Sequence, residues 1–197
     1  MSGLRERTRR AVAAEVTEVA LRLFAERGFD AVTVDDIARA AGLSKRSFFR
    51  YFPAKEDVVL GGIDFMGGEI AEQIARRPGQ EDAWQLLHAV LRGWEQRIDA
   101  ERQALERLRL VEATPALRAG FHAKREEARA QIADALLARP GLELDRFTAD
   151  LLTTAAAAAL DSVSRAWAGS GPETDRLALV DRAFALLRPA CLGPAPD

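Results

Sequence analysis

Residues 33–52 read Thr-Val-Asp-Asp-Ile-Ala-Arg-Ala-Ala-Gly-Leu-Ser-Lys-Arg-Ser-Phe-Phe-Arg-Tyr-Phe. Thr33 followed three residues later by Asp36 has the form of a capping box, with the carboxylate near the positive end of the helix it starts. Ile37 and Ala38 fall on the inward face, and Ala38 is small enough for a second helix to cross closely. Gly42 supplies the left-handed conformation of a tight turn, Leu43 tucks beneath it, and Ser44 caps a second short helix. Two short helices joined by a glycine-bearing turn of three or four residues make a helix-turn-helix.

The second helix displays Lys45, Arg46, Ser47, Phe49, Arg50 and Tyr51, and turns Phe48 and Phe52 toward the core. In such a motif the N-terminal residues of the second helix meet base edges in the major groove. Lysine and arginine donate to guanine acceptors, and serine serves more than one base. Thr33, Tyr51 and Lys55 lie where hydroxyl and ammonium groups clamp phosphates, with Ser44 completing the set. On this reading, loss of Lys55 weakens all DNA alike and lowers the salt slope by roughly one. The pattern is also that of an ordinary helical hairpin with a solvated basic face.

Outward from this segment the periodicity stays helical. Val12, Val16, Val19, Ala20, Leu23 and Phe24 recur on one helix face, and Gly28 ends that helix. The eight prolines read as punctuation between helices. Helices are expected near 8–27, 34–41, 45–51, 55–76, 80–98, 100–113, 115–138, 144–169 and 173–188, and the tail after Arg188 is expected to fray. The fold class is all-α.

The chain has 197 residues, 48% of them hydrophobic, and one cysteine. That length buries a real core and the composition is too apolar for disorder. One cysteine excludes a disulfide framework and a cysteine-based zinc cluster. No stretch approaches the roughly 20 apolar residues needed to span a bilayer, and the first ten residues do not form a signal peptide, so a cytoplasmic protein is expected. The net charge of -2 hides an asymmetry: residues 1–55 carry 11 basic and 7 acidic residues, the rest 17 and 23. A basic end on an acidic body suits a polyanion-binding region attached to a soluble one.

Residues 8–60 resemble the TetR family of bacterial regulators. The resemblance rests on Ala25-Glu26-Arg27-Gly28-Phe29-Asp30, Thr33-Val34-Asp35-Asp36-Ile37-Ala38, Ala41-Gly42-Leu43-Ser44-Lys45 and Phe48-Phe49-Arg50-Tyr51-Phe52-Pro53-Ala54-Lys55-Glu56. Phe49 stands where the family usually has tyrosine, losing a hydroxyl contact to phosphate, and Tyr51 stands where histidine is common. The resemblance implies a helix-turn-helix DNA-binding domain over 1–54 and a ligand-binding and dimerisation domain over 55–197. It implies a homodimer on a palindromic operator in double-stranded DNA, usually a repressor, released by a small ligand. Protein and operator then share a two-fold axis.

Toward the C-terminus, two helices suit a dimer interface. One carries Phe147, Leu151, Ala155, Ala158, Ser162 and Trp167; the other carries Leu177, Val180, Phe184 and Leu187. With their symmetry mates they would form a four-helix bundle, or these stripes pack within one subunit. Candidate ligand-binding residues are the aromatics Trp84, Trp94, Phe121 and Trp167 and the polar His88, Arg109, Glu112, His122 and Asp161, a set that fits a mainly apolar site with a few orienting groups. Residues 100–130, through Leu108-Arg109-Leu110-Val111-Glu112 and Pro115-Ala116-Leu117-Arg118, resemble an actinobacterial TetR subgroup that includes the mycofactocin-linked regulator. That subgroup is associated with acyl-coenzyme A-like ligands, so a small apolar or acyl-CoA-like effector is implied. Arg102, Arg107, Arg118, Lys124 and Arg125 meet ligand phosphates or form a solvated face. Gly61, Gly62, Gly67 and Gly68 permit close packing or a bend, and no phosphate loop surrounds them.

Other classes have less support. His88 and His122 lie on different helices, no nucleophile elbow or metal-ligand spacing occurs, and no cofactor is indicated, so an enzyme is not expected. A nonspecific DNA binder would need a broadly basic surface, which the acidic body lacks. A TetR-like activator, or a regulator without an inducer, shares the same sequence features.

Overall fold

The computed structural model describes residues 2–61, 66–79, 81–99, 104–170 and 174–192, and no strand occurs among them. The helices are α1 (Ser2–Arg27), α2 (Val34–Ala40), α3 (Lys45–Phe49), α4 (Lys55–Leu60), α5 (Met66–Arg76), α6 (Ala83–Asp99), α7 (Ala104–Ala113), α8 (Pro115–Leu137), α9 (Arg146–Gly169) and α10 (Arg176–Leu192). The all-α expectation holds. Several boundaries move: α1 starts earlier than residue 8, α3 stops at Phe49, and the expected helix over 55–76 is two helices. α4 closes at Gly61, whose N–H bonds Asp57 O at 2.7 Å. Gly62 and the start of the helix expected at 100 lie outside the described residues.

Proline placement follows from the missing N–H. Pro115 opens α8, where that donor would have no helical partner. Pro189, expected to end the last helix, instead lies in the final turn of α10. One lost hydrogen bond there is tolerated, unlike a break in the middle of a helix.

The chain divides into two compact units, Met1–Gly62 with Leu110–Phe121, and Ile63–Arg109 with His122–Asp197. Besides the segment up to Gly62, the first unit takes in the end of α7 and the start of α8. In the first unit, Val16, Ala20, Phe24, Val32, Ile37 and Phe48 are buried. Phe24 packs on Phe29 at 4.9 Å between ring centroids, and Phe48 on Phe52 at 5.4 Å. Burying a phenylalanine completely, as at Phe48, contributes about 1.5–3 kcal/mol. Thr17 Oγ1 donates to Val58 O at 3.2 Å, tying α1 to α4. Leu117 is also buried here, and a Cβ on Gly120 would stand 2.9 Å from Leu60 Cδ1.

In the second unit, α6, α9 and α10 form the densest packing. Trp84 is fully buried against Phe184, with ring centroids 4.8 Å apart, and its Nε1 donates to Phe184 O at 3.1 Å. The buried Arg139 guanidinium donates to Ile74 O, to Arg77 O at 3.0 Å and to Gly79 O at 3.2 Å, satisfying carbonyls at the end of α5. Arg176 and Glu95 form a buried ion pair, and Arg176 lies 4.3 Å over the Trp167 ring. Gly67 packs against α8: a Cβ there would meet Ala128 Cα at 2.8 Å, whereas one on Gly68 would enter open space. Of these two glycines, only Gly67 is required for close approach.

Candidate nucleic-acid interface

The first unit builds its exposed basic face from local caps. Thr33 Oγ1 accepts from Asp36 N–H at 3.2 Å and donates to Asp36 Oδ2 at 2.6 Å, while Thr33 N–H donates to the same carboxylate at 3.0 Å. The Asp36 carboxyl is held below the usual carboxylate range by the Thr33 hydroxyl and then the Thr33 backbone N–H, with Arg27 and Arg39 adding favourable charge. Gly42 takes φ +68°, its N–H bonds Arg39 O at 3.2 Å, and Leu43 N–H bonds Ala38 O at 2.8 Å. The turn thus closes as the sequence implies, by a Gly-centred C-cap. Ser44 then caps α3: its Oγ accepts from Ser47 N–H at 3.1 Å and donates to Ser47 Oγ at 3.0 Å.

These caps present one turn of helix with Lys45, Arg46, Phe49 and Arg50 all exposed. Lys45 Nζ donates to Asp35 Oδ2 at 3.0 Å. Arg46 makes no ion pair with a described residue. Arg50 Nη2 donates to Tyr51 Oη at 3.3 Å, and its guanidinium lies 5.2 Å from the Tyr51 ring centre. Phe49 stands edge-on to Phe48, one side in the core contact and 47% of it exposed. Ser47 and Tyr51 are half-buried. The arrangement offers two free or weakly paired guanidinium groups, an ammonium and an aromatic face on a preorganised turn, a combination suited to phosphates and base edges.

Lys55 is placed differently from its expected role. Its ammonium donates to Phe29 O at 2.9 Å and Val32 O at 3.1 Å, and sits 4.3 Å from the Phe29 ring centre. Two of its three donors therefore fasten the connection between α1 and α2. No local signal marks this, since the partners are 23 and 26 residues away.

The residues expected to hold a ligand do not gather around one space. Glu112 and Phe121 belong to the first unit. In the second, Trp84 is core, and His88 stacks on Phe184 at 4.9 Å and bonds Asp181 at 2.8 Å. Burial alone would raise the Asp181 carboxyl, but the hydrogen bonds from Arg92 and His88 outweigh it and hold the group below its usual range. Trp94 is half-buried under Arg97, Trp167 is buried beneath Arg176, His122 is exposed, and Arg109 donates to Ala168 O and Ser170 O. Asp161 pairs with a cavity residue, Arg125. That cavity, of about 30 Å³, lies among α5, α6, α8 and α9 and is bounded mainly by apolar side chains together with Arg125 and Arg129. Arg125 is thus not part of a solvated face; Arg102 lies outside the described residues.

The expected dimer stripe on α9 is exposed at Phe147 (73%), Leu151 (55%), Ala158 and Ser162, and half-buried at Ala155. On α10, Val180 and Phe184 are buried inside the subunit and Leu177 and Leu187 are half-buried. The 3.6-residue period identifies that stripe correctly, but its face meets α6 and α9. The outward α10 face carries Ala178, Ala185 and Leu186 instead, with Leu186 71% exposed.

No cluster able to hold a metal ion and no helix long and apolar enough to cross a membrane occurs among the described residues. Residues 16–61 match the family described as bacterial regulatory proteins, tetR family, and residues 81–191 match the MftR C-terminal domain. The chain is 33% identical over 150 residues to the HTH-type transcriptional regulator TcmR of Streptomyces glaucescens, covering 73% of this chain and 66% of that protein. It is 35% identical over 95 residues to the HTH-type transcriptional repressor KstR2 of Rhodococcus jostii, 46% of this chain and 45% of the repressor. The matched stretches thus span less than two thirds of the length of these curated relatives. Among solved structures, it is similar to FadR of Thermus thermophilus, a TetR-family repressor in complex with lauroyl-CoA, with TM-score 0.60 and 25% identity over 94% of this chain and 99% of that one. With the N-terminal family match over the capped α2–α3 turn and a second match across more than half of the chain, the protein belongs to the TetR family of bacterial regulatory proteins.

Proposed function

We propose that the chain is a ligand-responsive, homodimeric repressor of transcription that binds a palindromic operator. The observation that carries this reading is the capped α2–α3 turn. Its backbone is fixed by Thr33, Asp36, Gly42 and Ser44, so that Lys45, Arg46 and Arg50 stand exposed on a rigid element. Lys45 and Arg46 read base edges; Arg50, Tyr51 and Phe49 lie against the sugar-phosphate strand; and Thr33, Ser44 and Ser47 hold the turn and contribute hydroxyls to phosphate. Lys55 supports the surface from behind.

The second copy docks through the exposed Phe147–Leu151–Ala158–Ser162 stripe of α9 and the Leu186 face of α10. Large apolar side chains left this exposed mark an interface. Two-fold pairing then sets the half-site spacing. A small apolar or acyl-CoA-like effector binds the second unit, a reading supported by the lauroyl-CoA held by the T. thermophilus FadR and by the cavity among α5, α6, α8 and α9. It relieves repression only if it favours the arrangement that binds DNA poorly. The reading assigns no catalysis, with His88 engaged by Asp181.

The test is binding of the purified full-length protein to DNA flanking its own gene, at fixed near-physiological salt with excess random competitor. A competitor-resistant complex with a two-fold footprint supports the reading. Selection from a random library that enriches no palindrome refutes it.

A further inference from the structure

Resting on the reading of α3 as the helix that meets base edges, we infer that Asp35 is a specificity-determining residue. Its carboxylate and the Lys45 ammonium together read one guanine–cytosine pair in each half-site.

An acid on this surface needs a physical account, because it repels the phosphates that the rest of the surface attracts. The first turn of α2 holds two adjacent carboxylates, and they are used differently. Asp36 belongs to the cap: its Oδ2 accepts from the Thr33 N–H and hydroxyl, and its Oδ1 faces Arg39 at 3.6 Å and Arg27 at 4.0 Å. Asp35 takes no part in that cap. Its Oδ2 accepts from Lys45 Nζ at 3.0 Å, across the turn and ten residues along the chain. Both side chains are more than half exposed, 52% for Asp35 and 58% for Lys45, so the pair adds little to stability and stays open to DNA. Lys45 is the first residue of α3, at the end of the helix that meets the major groove. The carboxylate therefore goes wherever that ammonium goes.

The chemistry selects the base pair. Lys45 keeps two N–H donors after bonding Asp35, and Asp35 keeps its Oδ1, which has no partner among the described residues. A carboxylate holds no donor, so in the major groove it accepts only from an amine, cytosine N4 or adenine N6. In a guanine–cytosine pair that amine stands beside guanine O6, joined to it by a hydrogen bond of about 2.9 Å. The 3.0 Å ion pair matches that spacing with opposite polarity: ammonium against O6 and N7, carboxylate against N4. The reversed cytosine–guanine pair sets amine against ammonium and carbonyl against carboxylate, and adenine–thymine does the same at those two positions. Thymine–adenine keeps the order but puts a methyl where guanine has N7, so it ranks second. On random DNA the ion pair carries no net charge and Lys45 neutralises no phosphate, so sequence-independent affinity is held down.

The experiment applies the full-length protein to selection from a random DNA library, then titrates the selected operator and random DNA over a range of salt. Wild type is expected to enrich guanine–cytosine at the position that Lys45→Met relaxes. Asp35→Ala is expected to relax that same position and to lower the ratio of operator to random affinity roughly tenfold or more. Released from its partner, Lys45 then meets phosphate, so the salt slope on random DNA rises by about 0.9. Asp35→Asn, which keeps the shape of the side chain, is expected to raise the slope likewise, and it decides the point if Asp35→Ala fails to fold. Asp35→Glu, which keeps the charge, is expected to hold the wild-type slope. A carboxylate serving only the positive end of α2 gives a different result: Asp35→Ala weakens both DNAs alike, with base preference and slope unchanged. That result overturns the inference, as does relaxation of different positions by Asp35→Ala and Lys45→Met, or enrichment of another base pair at the shared position. If wild type and Asp35→Ala enrich the same palindrome equally, α3 reads sequence and only the role of Asp35 fails. If wild type enriches no sequence, the reading of α3 fails and the inference with it.

Discussion

Replacing Lys55 with methionine separates two roles that the same lysine could play. Methionine keeps an unbranched stem but loses the ammonium, and with it the bonds to Phe29 O and Val32 O and the cation over the Phe29 ring. Hydrogen bonds from charged donors contribute about 1.5–3 kcal/mol each, and a cation–π contact at a solvent-accessible site about 0.5–1. Because the ammonium is only partly buried, water discounts these contributions below their summed low end, and a loss of about 2–3 kcal/mol from the first unit is expected. Trp84, Trp94 and Trp167 all belong to the second unit, so tryptophan fluorescence would miss this change. Amide hydrogen exchange over α2 and α3 reads it directly, and a loss of that size accelerates exchange by roughly 30- to 150-fold. Under conditions where the unit remains folded, the dependence of DNA affinity on salt is expected to keep its slope. A phosphate contact would give the opposite pattern, a slope smaller by about 0.9 with exchange unaltered. That second result would refute the assignment of Lys55 as a fastener.

Other consequences follow from the same structure. Gly67→Ala forces a methyl against Ala128 Cα and is expected to cost about 1–3 kcal/mol in a urea melt, whereas Gly68→Ala, facing open space, gains up to about 1 kcal/mol; equal effects would contradict the packing. Leu151→Glu puts a charge in the exposed α9 stripe, and sedimentation is expected to show monomers with unchanged helix content; an intact dimer would move the interface elsewhere. The lowered Asp36 carboxyl contributes stability that is complete above the ordinary carboxylate range and lost as pH falls through its depressed value. Stability of the first unit should therefore be flat from neutral pH to about 5 and fall below about pH 4. In Asp36→Asn, which titrates no carboxyl at this position, that acid-side fall should be smaller.

Legibility in the sequence follows the range of the interactions. The α2–α3 turn can be read residue by residue because its signals are local: Thr33 with Asp36, Ser44 with Ser47, and a glycine at φ +68°. Periodicity also gives the helical class, and it marks α9's Phe147 and Leu151 as one face. It does not say which α10 face meets the subunit's own core, so Val180 and Phe184 read as outward although the packing of α6 draws them in. Trp84 and Trp167 suggest a ligand site by size alone, yet Trp84 is fastened to a carbonyl 100 residues away and Trp167 lies under Arg176. Arg125 reads as one more charge on a helix until its partner, 36 residues on, places it at a cavity.

The central claim is that α3 reads sequence through Arg46. The most direct measurement compares wild type and Arg46→Ala on the selected operator and on random DNA at one salt concentration. The account predicts a loss of about 1–3 kcal/mol on the operator, with little change on random DNA and relaxed preference at one base pair of each half-site. Equal losses on both DNAs would contradict it, leaving Arg46 as a phosphate contact and α3 without its principal reader.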